Sequence, residues 1–247
     1  IINNMLIKKK KYVGWVFMSP TQPEGKHGGK GTLAVRRDTI PFQKTIYNDM
    51  RDIMFTQSLH PEAIRVAVLQ RFTDEITRLC SNEVDPSELI QKKRISKSIE
   101  EYKSPPPHVA VAAKIRDRHR CGEEVHGVAI YNNGDYVSYV LVMPNEKLTE
   151  RQRKLLRKGE LAEDPTYWSH NRQTILLNIP LYLDRLLIVS ELVSSFIDPD
   201  TMHAMLEASK NTFLRKYQQY HGIEEYMAGL HDERSIHKIK RHANTIR

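Results

Sequence analysis

Four consecutive lysines near the start of the chain, Lys8, Lys9, Lys10 and Lys11, constrain its fold more than any other feature of the sequence. Apolar and β-prone residues flank them on both sides, so the pattern predicts one strand over residues 5–17. The middle of such a strand is too cationic to be buried against other protein. The sequence therefore predicts that this strand lies at the surface.

Ammonium groups crowded onto neighbouring residues repel one another unless an anion lies alongside them. One interpretation is a surface for a phosphate backbone, and another is a solvated lysine edge that discourages aggregation. The lysines alone leave both interpretations open. The distribution of charge over the rest of the chain bears on the choice.

The basic excess of the chain is localised. The 247 residues include 38 Lys and Arg against 30 Asp and Glu, a net charge of +8. Residues 1–44 carry nine basic and two acidic side chains, residues 92–120 carry nine and three, and residues 231–247 carry five and two. The remainder is net acidic, so the sequence indicates a localised polyanion-binding surface. The hydrophobic content of 40% suits one or two domains with a real core.

Several other classes of protein are disfavoured. Two cysteines, Cys80 and Cys121, make neither a disulfide framework nor a four-ligand zinc site, and the spacing of His119 and His126 from Cys121 fits no standard zinc finger. A reducing, intracellular setting is expected. The apolar run at residues 181–197 contains charged residues and predicts a buried helix instead of a membrane span. No signal peptide is predicted, and because the chain begins without methionine we expect a longer parent protein.

Hydrophobic periodicity predicts an α+β fold. Helices are predicted at residues 43–57, 61–80, 85–88, 149–158, 180–197 and 201–221. Strands are predicted at residues 32–35 and 134–142, with a loop tip at residues 25–32, whose glycine and lysine spacing does not fit a phosphate-binding loop. Residues 89–99 are compatible with helix or strand. We expect an incomplete antiparallel sheet followed by a mostly helical part with a small β insertion around residues 89–142.

Several segments, taken in order, resemble the family B DNA polymerases. The end of that family's palm is resembled by Lys8-Lys9-Lys10-Lys11-Tyr12-Val13-Gly14, by Gly31 with Val35-Arg36-Arg37-Asp38, and by Pro41-Phe42. The thumb is resembled by Lys93-Arg94-Ile95-Ser96-Lys97, Glu101-Tyr102-Lys103, Pro107-His108-Val109-Ala110, Gly134-Asp135 with Val137-Ser138-Tyr139-Val140, and Ala162-Glu163-Asp164-Pro165. The resemblance implies a palm part at residues 1–84, a thumb at 85–230 and a basic tail at 231–247.

The resemblance also implies which residues contact DNA. Lys10 and Tyr12 would contact the minor-groove edge and backbone of newly made base pairs near the primer end. The flanking lysines would hold the primer strand together with Arg36, Arg37 and Asp38. The thumb candidates, which would grip the duplex through phosphates, are Lys93, Arg94, Lys97, Lys103, His108 and Lys114. Minor-groove acceptors occur on every base pair, so such contacts check pairing with little regard to sequence.

The catalytic motifs of that family are missing from this sequence. The Asp-x-x-Ser-Leu-Tyr-type motif, the Asp-Thr-Asp motif, the nucleotide-binding lysine of the fingers and the exonuclease motifs do not occur. The acidic pairs Asp49 with Asp52 and Asp74 with Glu75 lie on predicted helices and are interpreted as solvated. The resemblance therefore implies a segment inactive alone, taken from a replicative DNA-directed DNA polymerase, a nucleotidyltransferase that uses deoxynucleotides and Mg²⁺ bound outside this chain.

The resemblance leaves the source and partners less defined. The cysteine clusters that end the nuclear replicative members are absent, which favours a large DNA virus. The expected partner is primer–template duplex DNA, with a processivity factor on the basic tail as a further possibility and no membrane. The expected location is the site of DNA replication, in the host nucleus or a cytoplasmic viral factory. The alternative is a free-standing, non-catalytic module that binds duplex nucleic acid; a weaker one is a metal-dependent nuclease using Asp49 and Asp52.

Overall fold

The computed structural model describes residues 2–8, 11–19, 21, 26–32, 39–55, 60–144 and 161–219, with the backbone alone at residues 2–6, 8, 11, 26–27 and 218–219. The chain divides into two compact units. The first consists of residues 1–91 and 181–210, and the second of residues 92–180 and 211–247.

Helices and small antiparallel sheets make up the described part of the chain. The strands are β1 (Ile2–Lys8), β2 (Lys11–Val16), β3 (Lys26–Lys30), β4 (Gln91–Arg94), β5 (Tyr136–Leu141) and β6 (Ala162–Glu163). The helices are α1 (Pro41–Phe55), α2 (Pro61–Cys80), α3 (Pro86–Leu89), α4 (Pro107–Arg120), α5 (Pro165–His170), α6 (Ile179–Val193) and α7 (Pro199–Gln219). This confirms the α+β fold class. The predicted helix at residues 149–158 and the basic tail lie outside the described residues.

The lysine-rich segment forms a hairpin, so the prediction of one strand over residues 5–17 is wrong. β1 and β2 pair antiparallel, with Leu6 opposite Tyr12 and Lys8 opposite Lys11. The antiparallel pairing sets the apolar residues on the two sides of the lysine run opposite each other, which a single strand cannot do. Like charges directly opposite each other are unfavourable, and here they fall at the end of the ladder.

Glycines allow a third strand to join this hairpin, so the predicted loop tip at residues 25–32 is also wrong. β3 pairs with β2 and places Gly28 opposite Gly14 and Lys30 opposite Tyr12. A Cβ atom on Gly28 would lie 2.7 Å from Cγ2 of Val16, closer than a side chain allows. Glycine therefore permits the close approach of these strands. Of the predicted return strand at residues 32–35, the described residues include Thr32, which lies in a bend.

The core of the first unit is formed by helices whose apolar faces the sequence predicts correctly. Each of α1, α2 and α7 begins with a proline, which costs nothing at the first helical position because the N–H there has no intrahelical acceptor. Asp85 caps α3 by accepting a hydrogen bond from the backbone N–H of Ser87 at 2.8 Å. The buried side chains include Phe42, Ile46, Met50, Val68, Phe72, Leu79, Leu183, Leu186, Met202 and Leu206. Burial of each large apolar side chain contributes about 1.5–3 kcal/mol.

Polar contacts fix α6 within this unit. Gln43 Nε2 donates to the carbonyl oxygen of Arg185 at 2.5 Å, and the Tyr182 hydroxyl donates to the carbonyl oxygen of Leu89 at 3.2 Å. Lys210 Nζ lies 2.6 Å from Asp184 Oδ1, which links α7 to α6. These bonds give α6 a defined rotation as well as a buried position. None of the helices within the described ranges is long and apolar enough to cross a bilayer.

A buried carboxylate joins helices in the first unit, contrary to the expectation that Glu75 is solvated. The side chain of Glu75 is 1% exposed, and it accepts hydrogen bonds from Arg71 and from Arg78, the latter at 3.0 Å to each carboxylate oxygen. Arg71 also donates to Asp49 on α1, and Arg78 donates to Glu88 on α3. The prediction of a solvated face fails because helical periodicity does not reveal which neighbouring helices supply partners.

The second unit is organised by the sheet β4-β5-β6. β4 resolves the ambiguity over residues 89–99 in favour of strand, and β5 confirms the strand predicted at residues 134–142. Gly134, with φ of 95°, supplies the turn before β5. β6 pairs antiparallel with β5, placing Leu141 opposite Ala162. The predicted β insertion is therefore present and extends to a strand beyond residue 142.

Substitution of Glu75 by Gln should destabilise the chain by about 2 kcal/mol, because two arginines would lose their shared charged acceptor at a buried position. Urea unfolding of the full chain measures this change. Asp74→Asn is the matched control, since Asp74 is an exposed acid on the same helix, and it should alter the free energy of unfolding by less than about 0.5 kcal/mol. Equal destabilisation by the two variants would contradict a structural role for Glu75.

Candidate nucleic-acid interface

The hairpin presents Tyr12 on its outer face. Alternation along β2 turns Val13 inward and leaves Tyr12 38% exposed. Arg51 on α1 lies over the ring of Trp15 at 5.9 Å, so the face of Trp15 and Val13 packs against α1. Tyr12 therefore lies on the opposite face, where its hydroxyl can donate and accept hydrogen bonds.

Lys30 is a neighbour of Tyr12 that the sequence analysis missed. It lies opposite Tyr12 in the β2–β3 ladder, and its side chain is exposed. Residues directly opposite in an antiparallel pair share a face, so Lys30 adds a positive charge beside the tyrosine. The signal that could have identified it is the run of residues 26–30, whose glycines permit strand pairing.

Of the other site residues predicted near the hairpin, the structure describes Lys8 and Lys11 alone. Lys8 and Lys11 are paired through their backbones at the end of the ladder where the lysine run connects the two strands. Five predicted site residues lie outside the described residues: Lys9, Lys10, Arg36, Arg37 and Asp38. Their roles stay predictions.

The first strand of the second unit, β4, carries an exposed basic edge. Lys92, Lys93 and Arg94 are exposed in succession, which is typical of a strand at the border of a sheet. Arg94 Nε donates to the carbonyl oxygen of Gly134 at 2.9 Å, and Lys92 Nζ lies 5.7 Å from the ring centroid of Tyr136. These contacts orient the two cations on the sheet while leaving both side chains exposed. Lys92 was also missed by the sequence analysis, because the choice between helix and strand was open there.

The turn after β4 orders a further predicted cation. Lys97 Nζ donates to the carbonyl oxygen of Glu101 at 3.1 Å and lies 4.6 Å from the ring centroid of Tyr102. The Tyr102 hydroxyl is in turn within 3.0 Å of the hydroxyl of Ser96. Lys103 follows directly and is exposed. Lys93, Arg94, Lys97 and Lys103 are thus all exposed in this unit, within β4 and the turn that follows it.

Lys114 forms an ion pair with Glu163 instead of pointing freely into solvent. Its ammonium donates to Glu163 Oε1 at 2.7 Å and to the carbonyl oxygen of Ala162 at 2.8 Å. The buried Glu163 also accepts from Arg118 at 2.8 Å, and the Arg118 guanidinium lies 3.6 Å above the ring of Tyr167. These ion pairs attach α4 to β6. Lys114 therefore stabilises the packing of α4 on β6 within this unit.

His108, the second residue of α4, is buried and does not face solvent. Its side chain is 4% exposed, and among the described residues its Nδ1 has no hydrogen-bond partner. Burial, followed by the nearby charge of Lys93, lowers the pKa of His108 to about 4, while a hydrogen bond to the backbone of Arg94 acts in the opposite direction. The imidazole is thus neutral near pH 7, and it bonds to the backbone of Arg94 in β4.

Metal ligation is not provided by the described ranges. They contain no group of three or more His, Cys, Asp or Glu side chains that could hold a metal ion. Asp49 accepts from Arg71 at 2.7 Å, and Asp52 accepts from Arg51 at 2.9 Å, so both carboxylates of the nuclease hypothesis already have cationic partners. His126 stacks on His170 with ring centroids 3.9 Å apart, a parallel arrangement in which the nitrogen lone pairs do not converge.

Comparison with known proteins identifies the family of this chain. The family model described as DNA polymerase family B matches residues 2–196. The chain is 26% identical over 223 residues to the DNA polymerase delta catalytic subunit of Plasmodium falciparum (isolate K1 / Thailand), covering 86% of this chain and 18% of that protein. It is 29% identical over 208 residues to the DNA polymerase catalytic subunit of rat cytomegalovirus (strain Maastricht), covering 74% of this chain and 15% of that protein.

The chain thus spans less than a fifth of the length of these relatives. Among solved structures, it resembles the family B DNA polymerase from the hyperthermophilic archaeon Pyrobaculum calidifontis, with a TM-score of 0.53 and 18% identity. That likeness covers 77% of this chain and 20% of the archaeal chain. At this identity it supports the fold alone.

Acidification should destabilise the chain through His108. Its pKa is about 4 in the folded state and 6.5 ordinarily, so between these values the unfolded state binds a proton that the folded state does not. Stability is therefore complete above pH 6.5 and is lost as the pH falls toward 4, by about 2–3 kcal/mol.

Urea unfolding across this pH range, with His108→Gln beside the unsubstituted chain, measures that contribution. The variant should lose less stability on acidification. His203→Gln is the control, because the side chain of His203 is 55% exposed, and it should follow the unsubstituted chain. Identical pH profiles for His108→Gln and the unsubstituted chain would contradict a buried neutral imidazole.

Proposed function

This chain belongs to DNA polymerase family B, and on that premise we propose that it is the C-terminal palm and thumb part of a replicative DNA-directed DNA polymerase. Its role in the parent enzyme is to grip the primer–template duplex during template-directed synthesis. The observation that carries this proposal is the exposed basic edge of β4 in a chain that matches the family over residues 2–196.

The basic edge suits a duplex because its cations are ordered but remain accessible. Arg94 uses Nε on a carbonyl oxygen, which leaves the terminal guanidinium N–H groups for a phosphate. Lys97 is steadied by a carbonyl oxygen and an aromatic ring, neither of which cancels its charge. Phosphate contacts of this kind position a duplex without reading its sequence, which is what a polymerase requires.

The hairpin serves the primer end in this proposal. Tyr12 and Lys10 contact the minor-groove edge of newly made base pairs, where an acceptor is present on every pair. Lys8, Lys9 and Lys11, with Arg36, Arg37 and Asp38, hold the primer backbone. Exposure of Tyr12 on the face opposite α1, beside Lys30, supports this assignment.

The palm part comprises residues 1–84, the thumb residues 85–230, and the basic tail residues 231–247. Support for this division comes from the order of elements: the hairpin sheet with α1 and α2 comes first, and the sheet of β4, β5 and β6 follows. The tail offers a basic segment for a processivity factor. These boundaries belong to the proposal.

Catalysis takes place outside this chain. The parent enzyme is a nucleotidyltransferase whose Mg²⁺ ions stabilise the attacking and leaving oxygens, and its metal ligands and deoxynucleotide site belong to other segments. The described residues do not fit the metal ions, since their carboxylates do not cluster. The segment is accordingly inactive alone.

The parent enzyme acts at the site of DNA replication, and we propose a large DNA virus as its source. Similarity to a cytomegalovirus catalytic subunit supports a viral source, while similarity to delta catalytic subunits supports a cellular one equally well. A viral enzyme would act in the host nucleus or in a cytoplasmic viral factory. The alternative of a free-standing binding module is not favoured, because the matches are to polymerase catalytic subunits.

Binding of the full chain to duplex DNA of about 20 base pairs should be salt-steep and indifferent to sequence. With four to six phosphates neutralised, the association constant should fall as roughly the fourth to fifth power of the salt concentration. The double substitution Lys10→Ala with Tyr12→Phe should weaken binding about tenfold on any sequence. Fluorescence anisotropy from about 50 to about 200 mM NaCl measures these effects.

Arg65→Ala is the control for the loss of one charge, since Arg65 is exposed on α2 and paired with Glu62. It should change affinity by less than about twofold. Binding that ignores salt, or that selects one sequence strongly, would contradict the proposal.

A further inference from the structure

The sheet leaves one backbone carbonyl of β4, that of Arg94, without a partner strand. Ile95 exchanges both of its backbone bonds with the turn before β5: its N–H donates to Asp135 at 2.9 Å, and its carbonyl accepts from Gly134 at 3.0 Å. Backbone groups of successive residues in a strand point to opposite sides. The carbonyl of Arg94 therefore points away from β5, toward the outer edge of the sheet.

Within the described part of the chain, β4 has a neighbouring strand only on the side of β5. Backbone groups on its other edge therefore have no strand to bond with. The imidazole of His108 bonds to the backbone of Arg94 at this place. Since Nδ1 has no partner among the described residues, the bond is made by Nε2. A neutral imidazole with its proton on Nε2 donates to a carbonyl oxygen. His108 therefore supplies the donor that the Arg94 carbonyl does not find within the sheet.

Arg94 is thereby held at two points. His108 bonds to its backbone at the open edge of β4, and the carbonyl of Gly134 accepts from its Nε at 2.9 Å. The charge of its neighbour Lys93, whose side chain is exposed, also acts on His108. A shift of the strand would move both cations.

We propose that His108 is a positioning residue for duplex binding, holding the Arg94 carbonyl at the open edge of β4 so that Lys93 and Arg94 present their charges to DNA phosphates. This inference rests on the proposed function. The sequence analysis predicts a direct phosphate contact for His108. Because His108 is buried, its role in duplex binding is instead indirect.

The protonation state of His108 suits this role. Burial and the charge of Lys93 lower its pKa to about 4, so the ring is neutral at the pH where DNA is bound. A protonated ring would place a third positive charge against Lys93 and Arg94. The same coupling supplies a test, because a phosphate bound beside Lys93 offsets the charge that disfavours protonation of His108.

His108→Phe keeps a flat ring and removes the donor, whereas His108→Gln keeps a donor. In the full chain, we expect His108→Phe to weaken duplex binding about fivefold and to reduce the salt exponent by about one, with His108→Gln close to the unsubstituted chain. Amide exchange at Ile95 and Gly134 should be about tenfold faster in His108→Phe. Val111→Ala, a buried change on the same helix, should lower stability without either effect.

A second measurement does not depend on whether His108→Phe folds. The imidazole of His108 in the unsubstituted chain is titrated by NMR with and without duplex, and the pKa should rise when duplex is bound. An unchanged pKa in a chain that binds duplex would overturn the inference, as would equal behaviour of His108→Phe and Val111→Ala. Absence of salt-dependent binding by the unsubstituted chain would instead overturn the proposed function.

Discussion

Repulsion between closely spaced cations is the constraint on which this structure depends. The chain must carry positive charge at high density and still fold, because an unpaired ammonium or guanidinium group cannot be buried. It carries dense positive charge along β4, a strand at the edge of a sheet, where the side chains of Lys92, Lys93 and Arg94 are exposed. The fold thus separates the groups that need water from the backbone that needs partners.

The described basic side chains fall into two groups that differ in their partners. Arg71 and Arg78 share the buried Glu75, and Lys114 shares Glu163 with Arg118, so these cations stabilise the frame. Lys92, Arg94 and Lys97 are held by carbonyl oxygens and aromatic rings, which orient them and leave their charge uncancelled. Net charge cannot distinguish these groups. The position of a carboxylate decides which cation remains available to a polyanion.

Membership in DNA polymerase family B connects this arrangement to a duplex. A polymerase must hold its product firmly, move along it and accept any sequence, and ordered cations facing phosphates meet these needs. On the proposed function, the catalytic carboxylates belong to other segments of the parent enzyme. Holding the duplex and transferring the nucleotide would then be separable along the chain, with the described residues serving the first task.

The sequence by itself determined α1, α2, α3, α6 and α7 and the β-prone segment after residue 134, because periodicity and first-turn prolines are local properties. It also located the basic stretches and, by resemblance, the family. Strand pairing depends on residues far apart, so the hairpin of β1 and β2 and the joining of β3 required the tertiary structure. Burial likewise depends on what packs above a side chain. Only the tertiary structure decided that Glu75 and His108, both polar and both expected to face solvent or DNA, lie inside and bond to neighbouring elements.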